Sequence, residues 1–182
     1  LELFIQKKRG RFTGWLGYTL SWNWRQFDEI NSGNRFPFRY DRRHDLSIVG
    51  NYDLSDKVWL SGAFVYGTGN AVSLPTYQYE VIGRLGEFNS GLSTIEAGID
   101  KNAFRMSNYH RLDLSISFRK EKRWGTRTWV VGVYNAYWHR NPYFMIADDV
   151  AVCNDQGCTS RRRVREISLL PIIPSVSYNF KF

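Results

Sequence analysis

The side chains capable of chemistry in this 182-residue chain are few and scattered. His44, His110 and His139 lie in separate segments, and none has the i,i+4 histidine partner that a helical zinc site uses. No nucleophile elbow, phosphate-binding loop or zincin string is present. Cys153 and Cys158 enclose Asn-Asp-Gln-Gly. In an oxidising compartment such a pair closes a disulfide, which is expected ahead of free thiols. A metal centre would need further soft ligands, and no histidine lies nearby. Asp148, Asp149, Asn154 and Asp155 match no regular calcium-loop spacing and read as a solvated acidic stretch. The expectation is a protein that is not an enzyme, with no catalytic residue, cofactor or metal.

Lysine and arginine number 25 against 17 aspartates and glutamates, a formal charge of +8, which raises the question of an anionic partner. The basic residues form no single stripe. They cluster around Lys7, Arg42, Lys122 and Arg162, and such clusters read first as solvated turns between strands. The segment from Arg35 to Arg43 mixes arginines with Phe36, Phe38 and Tyr40. That mixture can stack on single-stranded bases or meet lipid phosphates. Neutralisation by Asp41 and Asp45 is the first expectation, lipid phosphate held by Arg42 and Arg43 the second, and nucleic acid a distant third. His44 and His110 are expected at strand ends, hydrogen-bonded to neighbours.

The elements that must position these groups are strands. Aromatic residues make up 16% of the chain, which excludes disorder. No apolar run approaches the roughly 18–20 residues of a spanning helix. Two cysteines exclude a disulfide-dense scaffold. Alternation of period two then dominates. Leu16, Tyr18, Leu20, Trp22 and Trp24 alternate with Gly17, Thr19, Ser21, Asn23 and Arg25. Leu46, Ile48, Tyr52 and Leu54 oppose Asp45, Ser47, Asn51 and Asp53. Val58, Leu60, Phe64 and Tyr66 form a third apolar row, and Leu112, Leu114, Ile116 and Phe118 alternate with Arg111, Asp113, Ser115, Ser117 and Arg119. The last strand sets Val176, Tyr178, Phe180 and Phe182 against Ser175, Ser177, Asn179 and Lys181. In the first strand, Leu1 to Gln6, Phe4 breaks the alternation, and Thr128 to Tyr137 is apolar on both sides, so its orientation stays unassigned. Pro171 and Pro174 suggest a bulge or a late start to the final strand.

These seven strands are joined by connections that alternate strictly between short and long. An outer-membrane barrel keeps that rhythm, with short periplasmic turns and long extracellular loops; a sandwich has no reason to. The sequence thus reads as all-β: an antiparallel up-and-down transmembrane β-barrel segment ending in the periplasm at Phe182. Arg25, Asp45, Asn51, Asp113 and Ser115 are the lumen-facing candidates. Leu20, Trp22, Ile48, Phe64, Leu114, Ile116, Val176 and Tyr178 are the lipid-facing ones. Seven strands cannot close an all-antiparallel barrel, so further chain is expected to complete the wall. Leu1 is not an initiator methionine, and a processed or longer protein is expected.

Several strings resemble the late barrel strands of TonB-dependent outer-membrane receptors, in the SusC-like and carboxypeptidase-regulatory-domain branch. They are Tyr40-Asp41-Arg42-Arg43-His44-Asp45-Leu46, Tyr66-Gly67-Thr68-Gly69-Asn70, Tyr109-His110-Arg111-Leu112-Asp113-Leu114, Tyr134-Asn135-Ala136-Tyr137 with Asn141-Pro142-Tyr143, and Ser175 to Phe182. The terminal alternation, with Tyr178, Phe180 and Phe182, is similar to the signal read by the outer-membrane assembly machinery. The resemblance implies a 22-strand barrel around an N-terminal plug, of which residues 1–182 would be the C-terminal part. It also implies coupling to the TonB energy-transducing complex, lipopolysaccharide contact and a possible surface lipoprotein partner. The implied function is active import of a large nutrient such as an iron chelate, glycan or peptide. The alternatives are a secreted soluble β-sandwich that binds carbohydrate and an oligomeric β-pore.

Overall fold

Each alternating segment folds as a strand of one sheet. The computed structural model describes residues 1–74, 77–82, 92–97, 100–154 and 157–182. The sheet opens with β1 (Glu2–Lys7) and β2 (Phe12–Leu20). The chain then leaves through a small ladder of β3 (Trp24–Arg25) with β4 (Phe36–Pro37), and returns as β5 (His44–Ser55) and β6 (Val58–Gly67). A second excursion holds β7 (Ala71–Val72), β8 (Tyr77–Ile82), β9 (Leu92–Ala97) and β10 (Phe104–Arg105), with β7 paired to β10 and β8 to β9. Next come β11 (Tyr109–Lys122) and β12 (Gly125–Tyr134), the projecting hairpin of β13 (Phe144–Asn154) and β14 (Gly157–Ile167), and finally β15 (Ile173–Lys181). The seven-stranded sheet runs β1-β2-β5-β6-β11-β12-β15, antiparallel throughout, with β1 and β15 as its two open edges.

The seven strands and the rhythm of their connections match the sequence reading. β1 and β2, β5 and β6, and β11 and β12 are joined by tight turns at one end, and the three long excursions gather at the other. Register carries one side-chain class straight across the sheet. Leu16, Ile48, Phe64 and Leu112 form one row, and Phe12, Tyr52, Leu60, Ile116, Val131 and Val176 form another on the same face. On the opposite face Thr13, Asn51, Ser61, Ser115, Gly132 and Ser175 line up, and Ser61 Oγ donates to Asn51 Oδ1 at 2.6 Å. Phe4, the exception in β1, lies on this polar face beside Trp15, ring centroids 6.0 Å apart.

Among the described residues nothing covers either face of the sheet. Leu114 stays 45% exposed and Val176 64% exposed, and every residue of β1 and of β15 is solvent-accessible. Among the described residues the buried apolar side chains are Phe36, Ala71 and Met106, and all three belong to the long excursions. The aliphatic row of β11 is therefore not the centre of a self-contained core. The described structure is an open sheet rather than a closed barrel.

Two segments depart from the sequence reading, and a third shows the late start that Pro171 and Pro174 suggested. The second strand ends at Leu20, so Trp22 and Arg25 stand outside the seven-stranded sheet. The cause is Asp41: its carboxylate accepts the Asn23 N–H at 2.6 Å, the Asn23 carbonyl accepts the Phe38 N–H at 2.9 Å, and the backbone is drawn off the ladder. Arg25 then faces Phe36 across the β3–β4 ladder and is not on the polar face of the large sheet, where the lumen-facing assignment puts it. β12 stops at Tyr134 because Asn135 takes a positive φ of 54°. The strand's orientation follows from register: Trp129, Val131 and Val133 share the apolar face, and Trp129 packs on Tyr178 with centroids 4.8 Å apart. Pro171 precedes β15, and Pro174 lies within it opposite Val133, on an edge strand where a missing donor is tolerated.

Gly14 marks a close strand approach in the apolar rows. A Cβ there would lie 2.2 Å from the Val49 carbonyl oxygen, whereas at Gly17 the nearest atom would be a Trp15 ring carbon at 3.5 Å. Gly14→Ala is expected to cost about 1–3 kcal/mol because backbone must move. Gly17→Ala is expected to stay within about 0.5 kcal/mol. Urea midpoints followed by the strand signal in circular dichroism measure both.

Candidate functional site

The long excursions, whose own sheets are only two-stranded, are held to one another by polar side chains reaching between them. Asp41 is the centre. It is 1% exposed, and Arg105 from the second excursion engages it through both the side-chain carboxylate and the backbone carbonyl. Arg43 approaches the same carboxylate at 3.5 Å, and Arg105 also donates to the Gly69 carbonyl at 3.2 Å. Burial by itself would raise the Asp41 pKa. The Arg105 hydrogen bond, the Asn23 amide and the charges of Arg105 and Arg43 outweigh it, and the group titrates below the usual carboxylate range. Around this pair, Asn102 donates to the Pro37 carbonyl at 2.9 Å and Thr68 Oγ1 accepts the Arg43 N–H at 2.7 Å. Gly69 threads so close to the Met106 carbonyl that a Cβ would lie 1.7 Å from its oxygen. The third excursion joins through the Glu166 carboxylate, which accepts the Ser107 N–H at 2.7 Å.

These three excursions enclose a cavity of about 540 Å³. Phe27, Phe36, Phe38, Tyr143 and Phe144 supply its rings, and Arg25, Arg39 and Lys101 its charges. Among the described residues the lining has no carboxylate. The Arg25 guanidinium lies 3.7 Å over the Phe38 ring, and stacking of that kind leaves its N–H edge available. The size falls within the ordinary range for small-molecule sites. Rings with cations suit a ligand that joins an anionic group to a flat or apolar body. A second hollow of about 720 Å³ lies over the glycines of the apolar face, between Phe12, Tyr52, Leu60 and Leu114, and is too poor in polar groups to orient a ligand.

Below the loops the polar face carries a charged aromatic cluster. Arg111 Nε donates to Asp113 Oδ2 at 2.9 Å, and its Nη1 donates to the Tyr109 and Tyr134 hydroxyls at 2.9 and 2.7 Å. The other Asp113 oxygen accepts the Asn135 N–H at 3.0 Å, tying the end of β12 to β11. Asp45, Asn51, Asp113 and Ser115 all occupy this face. Leu20, Ile48, Phe64, Leu114, Ile116, Val176 and Tyr178 occupy the other, with Leu20 at its loop-side end.

The remaining sequence candidates find partners nearby. Arg42 meets Asp45 at 3.5 Å and Asn70 at 3.3 Å, and Arg43 lies over Trp22 at 5.1 Å, so both arginines are engaged within the loops. The His44 ring bonds the Tyr18 hydroxyl at 2.8 Å. His110 bonds Tyr137 at 2.7 Å and stacks on His139, centroids 3.5 Å apart. Cys153 and Cys158 form a disulfide opposite one another near the tip of the β13–β14 hairpin. Asp155 of the acidic stretch lies outside the described residues, while Asp148 pairs with Arg165 and Asp149 with Arg162. No group of three or more histidine, cysteine or acidic side chains among the described residues could hold a metal. Arg111, Tyr109 and Tyr134 were absent from the lumen-facing candidates, although the alternation around Asp113 carried the signal for Arg111. Arg105 and Lys101 carried none, since only folding of the second excursion brings them to the first.

No protein-family model, curated protein or solved structure matches the chain.

Asp41→Ala removes the acceptor shared by Arg105, Arg43 and the Asn23 amide. With both guanidiniums about one-third exposed, the expected loss of loop stability is about 2 kcal/mol. Faster amide exchange and proteolysis confined to residues 21–43 and 100–108 would register it. Because the folded pKa is depressed, the stabilisation is complete above the ordinary carboxylate pKa and fades as pH falls through the lower folded value. Loop protection in the unsubstituted protein should therefore hold at pH 5–7 and decline only in strong acid, a dependence that Asp41→Ala abolishes.

Proposed function

We propose that this chain is the C-terminal part of the wall of a larger transmembrane β-barrel in the bacterial outer membrane, of the TonB-dependent receptor kind that its sequence resembles. In this reading the apolar face meets lipid, the polar face lines a lumen shared with a plug, and the long excursions face outward to capture a bulky nutrient. Import is then driven by plug movement pulled from the TonB complex, with no covalent chemistry asked of this chain. The earlier strands and plug of the same receptor are the obligatory partners. The assembly machinery would read the terminal Tyr178, Phe180 and Phe182, and lipopolysaccharide and a surface lipoprotein would be outer neighbours.

One observation carries the reading: among the described residues a seven-stranded meander has an apolar face with nothing packed on it and two unpaired edges. A soluble sandwich needs a second layer over that face. In water such a face and such edges promote aggregation; in a bilayer the face is solvated by lipid, and the edges must be closed by more strands. The loop cavity, with its rings and cations, supports the capture role and favours ligands bearing negative charge.

Arginine at Leu114 is expected to cost about 2–4 kcal/mol in membrane assembly, and arginine at neighbouring Ser115 far less. The measurement is the folded fraction of Leu114→Arg and Ser115→Arg in outer-membrane extracts of cells making the intact protein. Equal tolerance at the two positions would overturn the assignment of faces. Recovery of the unsubstituted protein as a detergent-free soluble monomer would favour the sandwich, and discrete multimers in detergent would favour the oligomeric pore.

A further inference from the structure

The chain's net charge is concentrated at one end. Lys7, Lys8, Arg9 and Arg11 surround the first tight turn, and Lys57 lies in the second. Arg119, Lys120, Lys122, Arg123 and Arg127 surround the third, and Lys181 lies across the ladder from Thr126. These eleven cations share the tight-turn end with three acids, Asp53, Asp56 and Glu121. The other fourteen basic and fourteen acidic residues of the chain cancel, so the whole formal excess of +8 belongs to this rim.

The backbone holds the cluster together. The Arg11 carbonyl accepts the Asp53 N–H at 2.8 Å, the Lys57 carbonyl accepts the Arg119 N–H at 2.7 Å, and Lys120 pairs directly opposite Arg127. Like charges facing one another across a ladder are unfavourable unless an anion intervenes. Among the described residues none of the eleven forms an ion pair.

A second observation gives the anion its setting. Phe12, Tyr52, Trp129, Tyr178 and Phe180 lie on the apolar face just inside the rim, each 40% exposed or more. Lys7 Nζ sits 5.8 Å from the centroid of the Phe12 ring, and Trp124 stands 82% exposed in the third turn. Along this face the side chains run from aliphatic through aromatic to cationic. A leaflet presents the matching sequence of hydrocarbon, interface and anionic headgroup. A nucleic acid or a free phosphate would account for the cations but not for the rings and aliphatic rows continuous with them.

We infer that the tight-turn rim binds the phosphate-bearing headgroups of anionic glycerophospholipids in the leaflet beside it. The inference rests on the proposed placement of the apolar face in lipid and adds a lipid preference to it. The intact protein, reconstituted into nanodiscs of phosphatidylcholine alone or mixed equally with phosphatidylglycerol, is extracted and its retained lipids are counted by native mass spectrometry. Phosphatidylglycerol should be retained over phosphatidylcholine by about tenfold or more. The combined variant Lys120→Gln, Lys122→Gln, Arg123→Gln and Arg127→Gln should bring the two lipids close to parity. A control of equal charge change at the loop end, Arg35→Gln, Arg140→Gln, Arg161→Gln and Arg163→Gln, should keep the preference. Equal retention by the unsubstituted protein, the same loss in the control, or displacement of the lipid by inorganic phosphate would each overturn the inference. Failure to insert into either nanodisc would overturn the membrane placement as well, whereas insertion without preference overturns the rim assignment alone.

Discussion

The backbone ladder between consecutive strands is the interaction on which the rest of this structure depends. Six antiparallel pairings join seven strands, and among the described residues no side-chain core lies above or below them to help. Ladder hydrogen bonds satisfy the polar backbone, and cross-strand pairs such as Trp129 with Tyr178 add side-chain contact. Because the ladder holds the strands, both faces are free to match different surroundings. One became aliphatic and the other took Ser61, Ser115 and the Arg111–Asp113 pair. The open edges at β1 and β15 follow from the same principle, since a ladder has no natural end.

The long excursions are organised by the opposite logic. They carry the buried apolar residues Phe36, Ala71 and Met106, together with buried Asp41, Asn102 and Asn135. Short ladders such as β3 with β4 satisfy little backbone, so side chains do the joining. Asp41 links the first excursion to the second through Arg105 and also terminates β2 by capturing the Asn23 amide. One carboxylate thus decides where the sheet strand stops and where the loop structure begins. The cavity is a consequence: its rings come from the first and third excursions, and Lys101 and Asn102 from the second.

Charge follows the same division. In the loops several arginines are engaged by acids, as Arg42 is by Asp45 and Arg165 by Asp148. Beside the tight turns they are not. Turns of two to four residues offer too few positions for acids to stand opposite every cation, and the strands bring three such turns to one end. A modest excess spread along the sequence becomes a concentrated field only when the meander folds.

Period-two alternation determined the strands, their number and, for most of them, which residues share a face, because in an extended chain neighbouring side chains must point opposite ways. Connection lengths determined the up-and-down order, since a tight turn can only join adjacent antiparallel strands. Alternation was silent where it failed locally. Thr128 to Tyr137 is apolar on both sides, and only pairing with β11 and β15 oriented it. It also ran too far in β2, because Trp22 and Trp24 continue the pattern after Asp41 has diverted the backbone. The cavity and the Asp41–Arg105 pair were beyond reach of the sequence. Their members stand 64 positions apart, and contacts at that separation are selected by how loops pack in three dimensions, not by any local spacing.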